Sequence, residues 1–321
     1  MYIIMNIVIY TFVAIISILI IFRLWFRLKY PFWSIQPVFH YHMLHYWIFP
    51  PGIIDPSIPT QNSKYYNSQI KFNKINSLDT TAWREAIHLI SNNFLKEKNC
   101  YYNPSSLFIK SIFPYNHSYL SMMTEDKILN EGDRYIQHKK PIGCMTTRPL
   151  KCYLGEKTKN KIKLGYVDFL CVHKSHRKQN IAPSVIYSHY VNVRENDDNI
   201  HVFCFKREGK INGFVPLTHY SSYVMDISLI VNTSIICPSV KIEKLNTINL
   251  QILYHVLPIL KGKYECFMIC DISVLQKLIE IGYFKIYVAM MDIVPKAVYI
   301  FTDAYTVYDK KKRCIECGSS I

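Results

Sequence analysis

At 321 residues, half of them hydrophobic and 14% aromatic, the chain holds material for one large domain or two ordinary ones, which excludes a disordered protein. Its formal net charge of +15 calls for an anionic partner: nucleic acid, a membrane surface or a phosphorylated small molecule. Ten cysteines scattered over so long a chain exclude a small disulfide scaffold and fit reduced thiols in a cytosolic domain.

Residues Ile3–Phe22 carry no charge and almost no polar side chain, enough for one membrane crossing at about 1.5 Å per residue. The run has no basic leader or small-residue cleavage site, and it is apolar on every face, unlike a core helix. Arg23, Arg27 and Lys29 follow it and no basic residue precedes it, so the positive-inside rule puts the remainder on the cytosolic side of a single-pass anchor. Lys29–Val38 (KYPFWSIQPV) reads as extended, and His40, His42 and His45 follow without a carboxylate or thiol ligand, so packing explains them better than a metal. Pro50–Asn67 reads as a loop.

Asp79–Leu95 has the spacing of an amphipathic helix, capped by Asp79 and Thr80, with Trp83, Ile87, Ile90 and Phe94 on its apolar face. Asn103-Pro104 signals the start of a second helix within Tyr101–Ile112. Strands are expected at Tyr119–Met123, Pro141–Thr146 and Ile162–Val172, with Asp133–Lys140 and Leu154–Lys161 as polar connections. Pro183–Arg194 reads as a helix with Ile186, Tyr190 and Val193 on one face. Further strands are expected at His201–Phe205, Tyr223–Val231, Glu265–Cys270 and Ala297–Phe301, and helices at Thr247–Leu257 and Val274–Ile281. Lys310–Arg313 reads as a solvated charge run, and the lone CxxC at Cys314 and Cys317 has no second pair, so no metal site is expected. The class is α+β, or mixed α/β.

Chemistry concentrates in Asp168–Pro183, DFLCVHKSHRKQNIAP: an apolar strand end, a basic turn, then a helix start with Pro183 taken as its first residue. Such a junction offers backbone N–H groups and a positive helix end to a phosphate; an ordinary β-turn-α connection with solvated charges has the same outline. Walker, GxGxxG, HExxH and GxSxG motifs are absent, as is an RNA-recognition aromatic block, and nucleic acid is not an expected partner.

Arg177-x-x-Asn180-x-Ala182 resembles the coenzyme A pyrophosphate turn of GNAT-type acyltransferases. FLCVHK (Phe169–Lys174) with the following R-x-x-x-x-AP, and FWSIQPV (Phe32–Val38), resemble hallmark blocks of the N-myristoyltransferase (glycylpeptide N-tetradecanoyltransferase) family. YNPSSL (Tyr102–Leu107) and KPIGCMTTRP (Lys140–Pro149) are similar to segments between them, so the likeness spans Tyr30–Val193.

The resemblance implies two GNAT-like halves on a saddle-shaped sheet flanked by helices, preceded by the transmembrane helix. The implied layout is an anchor over 1–22, an arm and linker over 23–67 that contributes to the acyl-CoA site, an acyl-CoA-binding half over 68–200 and a peptide-binding half over 201–321. It further implies myristoyl-CoA as donor substrate with no permanently bound cofactor, glycine-starting peptides or proteins as acceptors, and a monomer. Pro31, Phe32 and Trp33 would line the acyl-CoA site, Cys171 and Val172 the pantetheine, and Arg177, Lys178, Asn180, Ile181 and Ala182 the phosphates. The N–H groups of Phe169 and Leu170 would form the oxyanion hole, and the C-terminal carboxylate, on Ile321, would take the acceptor's proton.

The chain departs from the family on the peptide side. Tyr166-Val167-Asp168 stands where the family has a Glu-Ile-Asn type triplet, Ile281–Ala289 lacks the glycine-rich block, and Phe203-Cys204-Phe205 replaces a Tyr-Thr-Ala-Gly stretch. A silent acyl-CoA-binding module, or transfer to a different amine, remains the alternative.

Overall fold

The structure, a computed structural model, describes every residue except 1, 51, 97–99, 132–133, 155–160, 210–212, 230–238, 309–311 and 321. The chain divides into two compact units, one of Met1–Ser57 with Arg207–Asn232 and the other of Ile58–Lys206 with Thr233–Ile321. The class is mixed α/β, with two sheets and seven α-helices among the described residues.

In the first unit α1 spans Tyr2–Lys29 and is exposed except at Phe26. It is long and apolar enough to cross a membrane. The helix outlasts the apolar run by about two turns, so the basic residues Arg23, Arg27 and Lys29 lie on it rather than after it. Phe26 joins the helix to the rest of its unit, with ring centroids of His40 and His42 each 5.1 Å away. Gly213 comes so near that a Cβ there would sit 3.3 Å from Phe26 Cζ. His40 is buried, and its Nδ1 lies 2.8 Å from the Gly213 carbonyl oxygen. It also stacks on His42 at 5.2 Å, so packing accounts for both rings. A short helix, α2 (Leu44–Ile48), follows. Over its described part, the strand expected at Tyr223–Val231 does not form: Ile227–Leu229 is one 3₁₀ turn, and Tyr223, Val224 and Met225 are exposed. Among the described residues no strand pairs with this run, and without a ladder to join its residues do not form one.

The second unit contains, in order, β1 (Lys71–Lys74), α3 (Thr80–Asn93), β2 (Cys100–Tyr102), α4 (Ser106–Ser111), β3 (Tyr119–Glu131), β4 (Arg134–Leu154), β5 (Lys161–Val172), α5 (Ile181–Asn196) and β6 (Val202–Phe205). It continues with β7 (Lys241–Lys244), α6 (Gln251–Lys263), β8 (Cys266–Ile269), α7 (Ile272–Glu280), β9 (Phe284–Met291), β10 (Val294–Tyr308) and β11 (Lys312–Ser320). One sheet has the order β1-β3-β4-β5-β6, with β8 also on β4; the other runs β11-β10-β9-β7, with β2 also on β10. Each sheet thus borrows a strand from the other end of the chain: β8 pairs as Tyr153↔Phe267, and β2 as Tyr102↔Thr306.

Helix α3 packs on one face of the first sheet, where Ala86, Leu89 and Ile90 meet Leu120, Met122, Cys144, Phe169 and Cys171. Helix α5 packs on the opposite face, where Ile181 and Val185 meet Ile142, Met145 and Val167. Leu253, Val256 and Leu275 cover the second sheet over Ile286, Val288 and Val298. The Asp79 carboxylate accepts from the Thr81 N–H at 2.6 Å, as the capping signal predicts.

Several boundaries differ from the sequence reading. Arg134–Lys140 is strand rather than connection, because the β3–β4 ladder continues to Glu131↔Arg134 on backbone pairing that needs no apolar face. Ser105, not Asn103-Pro104, caps α4, its hydroxyl accepting from the Phe108 N–H at 3.1 Å. Lys312 and Arg313 belong to β11. Pro183 is the third residue of α5, a position whose N–H is still outside the helix ladder. The buried side chains of α5 are not the single stripe Ile186–Tyr190–Val193 but include Val185, Tyr187, Ser188, His189 and Val191 as well as Val193.

Candidate active site

Strands β4 and β5 pair with Met145 opposite Leu170 and then Thr147 opposite Val167. Thr146 therefore faces two residues, Asp168 and Phe169, and β5 carries a β-bulge there. The bulge turns both side chains to the α3 face. Phe169 lies 5.4 Å from the Phe94 ring and 6.5 Å from that of Tyr102. Asp168 accepts a 2.8 Å hydrogen bond at Oδ2 from Nε of Arg148, whose guanidinium also lies over Tyr166 at 5.2 Å. Burial raises the Asp168 carboxyl above its ordinary value, with Arg148 pulling the other way.

The same bulge decides where the backbone of β5 points. The His173 N–H donates to the Ile142 carbonyl on β4 at 2.8 Å. Strand alternation then aims the N–H and C=O groups of Leu170 and Val172 away from β4. On that other edge β6 pairs with β5 only from Leu164↔Val202 to Val167↔Phe205. Among the described residues no strand lies along Asp168–Val172, so Leu170 and Val172 face an open edge that leads into the basic turn.

Asn93, at the end of α3, organises that turn. Its Oδ1 accepts from the Lys174 N–H at 3.1 Å, and its carbonyl accepts from the Arg177 guanidinium at 2.9 Å. A cation at the C-terminal end of α3 is also favoured by the helix dipole. Lys178 and Asn180 have left-handed backbones, with φ of 66° and 59°. Asn180 makes no side-chain cap on α5. The N–H groups of Ile181 and Ala182 precede the first ladder bond of the helix and Pro183 has none, so α5 opens on two backbone donors beside exposed Lys174, Arg177 and Lys178. His173 is pushed down by partial burial and by Lys140, His176 and Lys127.

The sequence-derived site residues fall into three groups. Leu170, Val172, Arg177, Lys178, Asn180, Ile181 and Ala182 lie on the open edge or the turn that continues it. Phe169 and Cys171 belong to the same strand but face inward: the Phe169 N–H donates to Thr146 Oγ1 at 3.1 Å. Cys171 is buried under α3, with its thiol pushed up to about 12 by burial. Pro31, Phe32 and Trp33 belong to the first unit, where Phe32 and Trp33 lie 5.0 Å apart and Trp33 lies 5.0 Å from Phe214. Ile321 is outside the described residues. Sequence reasoning passed over Asn93, Thr146 and Arg148. The last two lie within the block KPIGCMTTRP, and only the register shows what they touch.

No family model matches the chain, and no curated protein matches it either. Solved structures do. A structure of Saccharomyces cerevisiae N-myristoyltransferase with bound myristoyl-CoA aligns over 86% of this chain and 67% of its own, at TM-score 0.56 and 12% identity. A second structure of that complex aligns over 89% of this chain and 72% of its own, at TM-score 0.53 and 11% identity. A third, with myristoyl-CoA and inhibitors, gives TM-score 0.54 at 12% identity, covering 85% and 67%. The chain has the N-myristoyltransferase-like fold.

Proposed function

We propose that this protein is an acyl-CoA-dependent N-acyltransferase that transfers a tetradecanoyl group from myristoyl-CoA to the N-terminal glycine of proteins. One observation carries the reading: an open, bulged strand edge runs without interruption into an uncapped, cation-flanked helix start. The edge suits the extended amide-bearing pantetheine, which pairs with Leu170 and Val172 as a strand would. The helix start suits the pyrophosphate, held by the Ile181 and Ala182 N–H groups with Arg177 and Lys178 beside it and Asn180 supplying the left-handed turn. The Leu170 N–H stabilises the oxyanion formed when an amine attacks the thioester, while the same role for the Phe169 N–H, which is turned to Thr146, rests on the family resemblance alone. Cys171 keeps the strand seated on α3. The acyl-contacting role of Pro31, Phe32 and Trp33, and the proton-accepting role of Ile321, rest on the family resemblance alone.

Helix α1 would anchor the protein as a single-pass span with the folded units on the cytosolic side, as Arg23, Arg27 and Lys29 direct. The test is incubation with alkyne-labelled myristoyl-CoA and glycine-starting peptides, followed by mass spectrometry. An amide on the peptide's α-nitrogen is expected; its absence at every pH from about 6 to 9 overturns the reading. A second reading, binding without transfer, is favoured by the Phe169 N–H already engaged by Thr146. Its signature is thermal stabilisation by myristoyl-CoA with no amide product.

A further inference from the structure

We propose that α2 and residues 217–227, both in the first unit, form a membrane-interface surface that lies in the headgroup layer of an anionic bilayer. The inference rests on the reading of α1 as a membrane span and adds a second, non-spanning contact with the same lipid surface.

The depth of this surface is set by the ring cluster at the end of α1. The uncharged run of the helix ends at Phe22, after about 20 residues or about 30 Å, the thickness of the hydrocarbon layer. Phe26 lies one turn further, about 6 Å along the axis and so at the level of the headgroups. His42 stands against that exit, its ring centroid 6.2 Å from Phe22 and 5.1 Å from Phe26. Helix α2 starts two residues later at Leu44 and folds back, with the Trp47 ring 4.8 Å from that of Phe39. The second segment leaves from the same level. The Gly213 carbonyl oxygen lies 2.8 Å from His40 Nδ1, and the Val215 N–H donates to the Phe39 carbonyl at 2.7 Å.

Both segments present apolar side chains outward. Trp47, Ile48 and Phe49 at the first, and Tyr223, Met225 and Ile227 at the second, are each more than half exposed. Scattered singly such residues are ordinary surface; crowded into two short stretches of one unit they mark a contact. Charge is missing from the same stretches. Asp, Glu, Lys and Arg make up 19% of the chain, yet residues 30–57 hold only Asp55 and residues 213–228 only Asp226. The Trp47 indole N–H donates to the Tyr41 carbonyl at 3.3 Å, so its polar edge is satisfied within the chain while the ring is open to apolar contact.

Aromatic rings and aliphatic side chains without charge, next to the end of a span, are the composition of the interfacial belt of membrane proteins. Arg23, Arg27 and Lys29 on the adjoining turns of α1 supply the attraction to anionic headgroups. The occupant is the bilayer rather than another protein because a spanning α1 already holds lipid at the level of Phe26, where both segments begin.

The experiment uses the full chain reconstituted into vesicles of phosphatidylcholine and phosphatidylserine. Emission from Trp47 is the difference between the unmodified chain and Trp47→Phe, and position 223 is read from Tyr223→Trp. Both variants keep an aromatic ring at an exposed position, and circular dichroism unchanged from the unmodified chain confirms their fold. Two quenchers are compared: phosphatidylcholine brominated on its acyl chains close to the headgroup, and iodide in the water on both sides of the membrane. The expected result is that both positions lose most of their emission to the brominated lipid and little to iodide. Quenching by iodide alone leaves the face in water, and quenching by neither means that protein, such as a second copy, covers it; either result overturns the proposal. Carbonate extraction of the same vesicles tests the span by itself. A chain that stays with the membrane while Trp47 is quenched by iodide alone keeps the span and loses the interface, whereas release into the supernatant overturns the span and the proposal with it.

Discussion

At the scale of single residues, hydrogen bonds decide what the backbone has to offer. Thr146 is fully buried and its hydroxyl holds the Phe169 N–H. Thr146→Val strands that donor and is expected to cost about 1–3 kcal/mol, read as a shift in urea midpoint at constant m-value. Asn93→Ala removes the acceptor that shapes the basic turn. Its loss of about 1 kcal/mol of organisation should weaken myristoyl-CoA binding roughly 5- to 10-fold and leave the chain folded. His189, enclosed between Thr147 Oγ1 at 2.7 Å and Ser121 Oγ at 2.8 Å, is driven by burial down to about 3. The unfolded chain binds a proton there near pH 6.5 and the folded chain does not until about pH 3, so stability falls as pH falls through that window. The expected slope is about 1.4 kcal/mol per pH unit, seen in denaturant midpoints between pH 6.5 and 5, and His189→Gln should flatten it. None of these three roles is legible in the sequence. A threonine, an asparagine and a histidine become informative only once a register shift or a helix end puts a partner opposite them.

At the scale of elements, the long apolar runs were legible and the polar ones were not. Ile162–Val172 reads as a strand because its side chains must be covered. The polar ends of β3 and β4, the charged start of β11 and the short β1 and β7 carry no such signal, since pairing alone holds them. Conversely, Tyr223–Val231 has the residues of a strand, and its described part joins no sheet among the described residues. The blocks that resemble a known family escaped this limit, which is why the basic turn was found and its neighbours were not. Packing between elements is tight enough to test. A Cβ on Gly165 of β5 would lie 2.8 Å from Thr147 Cγ2 and 3.0 Å from Ile200 Cγ2. Thr147 is fixed by its bond to His189, so it has little freedom to yield. Gly165→Ala is expected to lose about 1–3 kcal/mol by overpacking, measured by thermal or urea unfolding. By contrast, Gly282 ends α7 at φ 74° with open space around it, so alanine there is penalised by backbone strain rather than by contact.

At the scale of the whole molecule, helix α1 and the residues packed on its end make separable demands. Phe26 belongs both to α1 and to the buried cluster with His40 and His42, so the place to cut the helix is set by packing rather than by hydropathy. Removal of residues 1–22 should leave peptide acylation intact in the absence of detergent, whereas removal through Lys29 should lower the melting temperature by exposing His40; differential scanning fluorimetry of the two truncations separates them. The borrowed strands have a consequence for how the protein is made. The place beside β10 that β2 must fill is synthesised roughly 200 residues after β2 itself, which at about 5–20 residues per second leaves that segment waiting some tens of seconds on the ribosome. That stretch of β10 therefore has to leave the ribosome before β2 can pair, and a stop anywhere upstream of it yields a nascent fragment with unpaired strand edges, a substrate for chaperones and proteases.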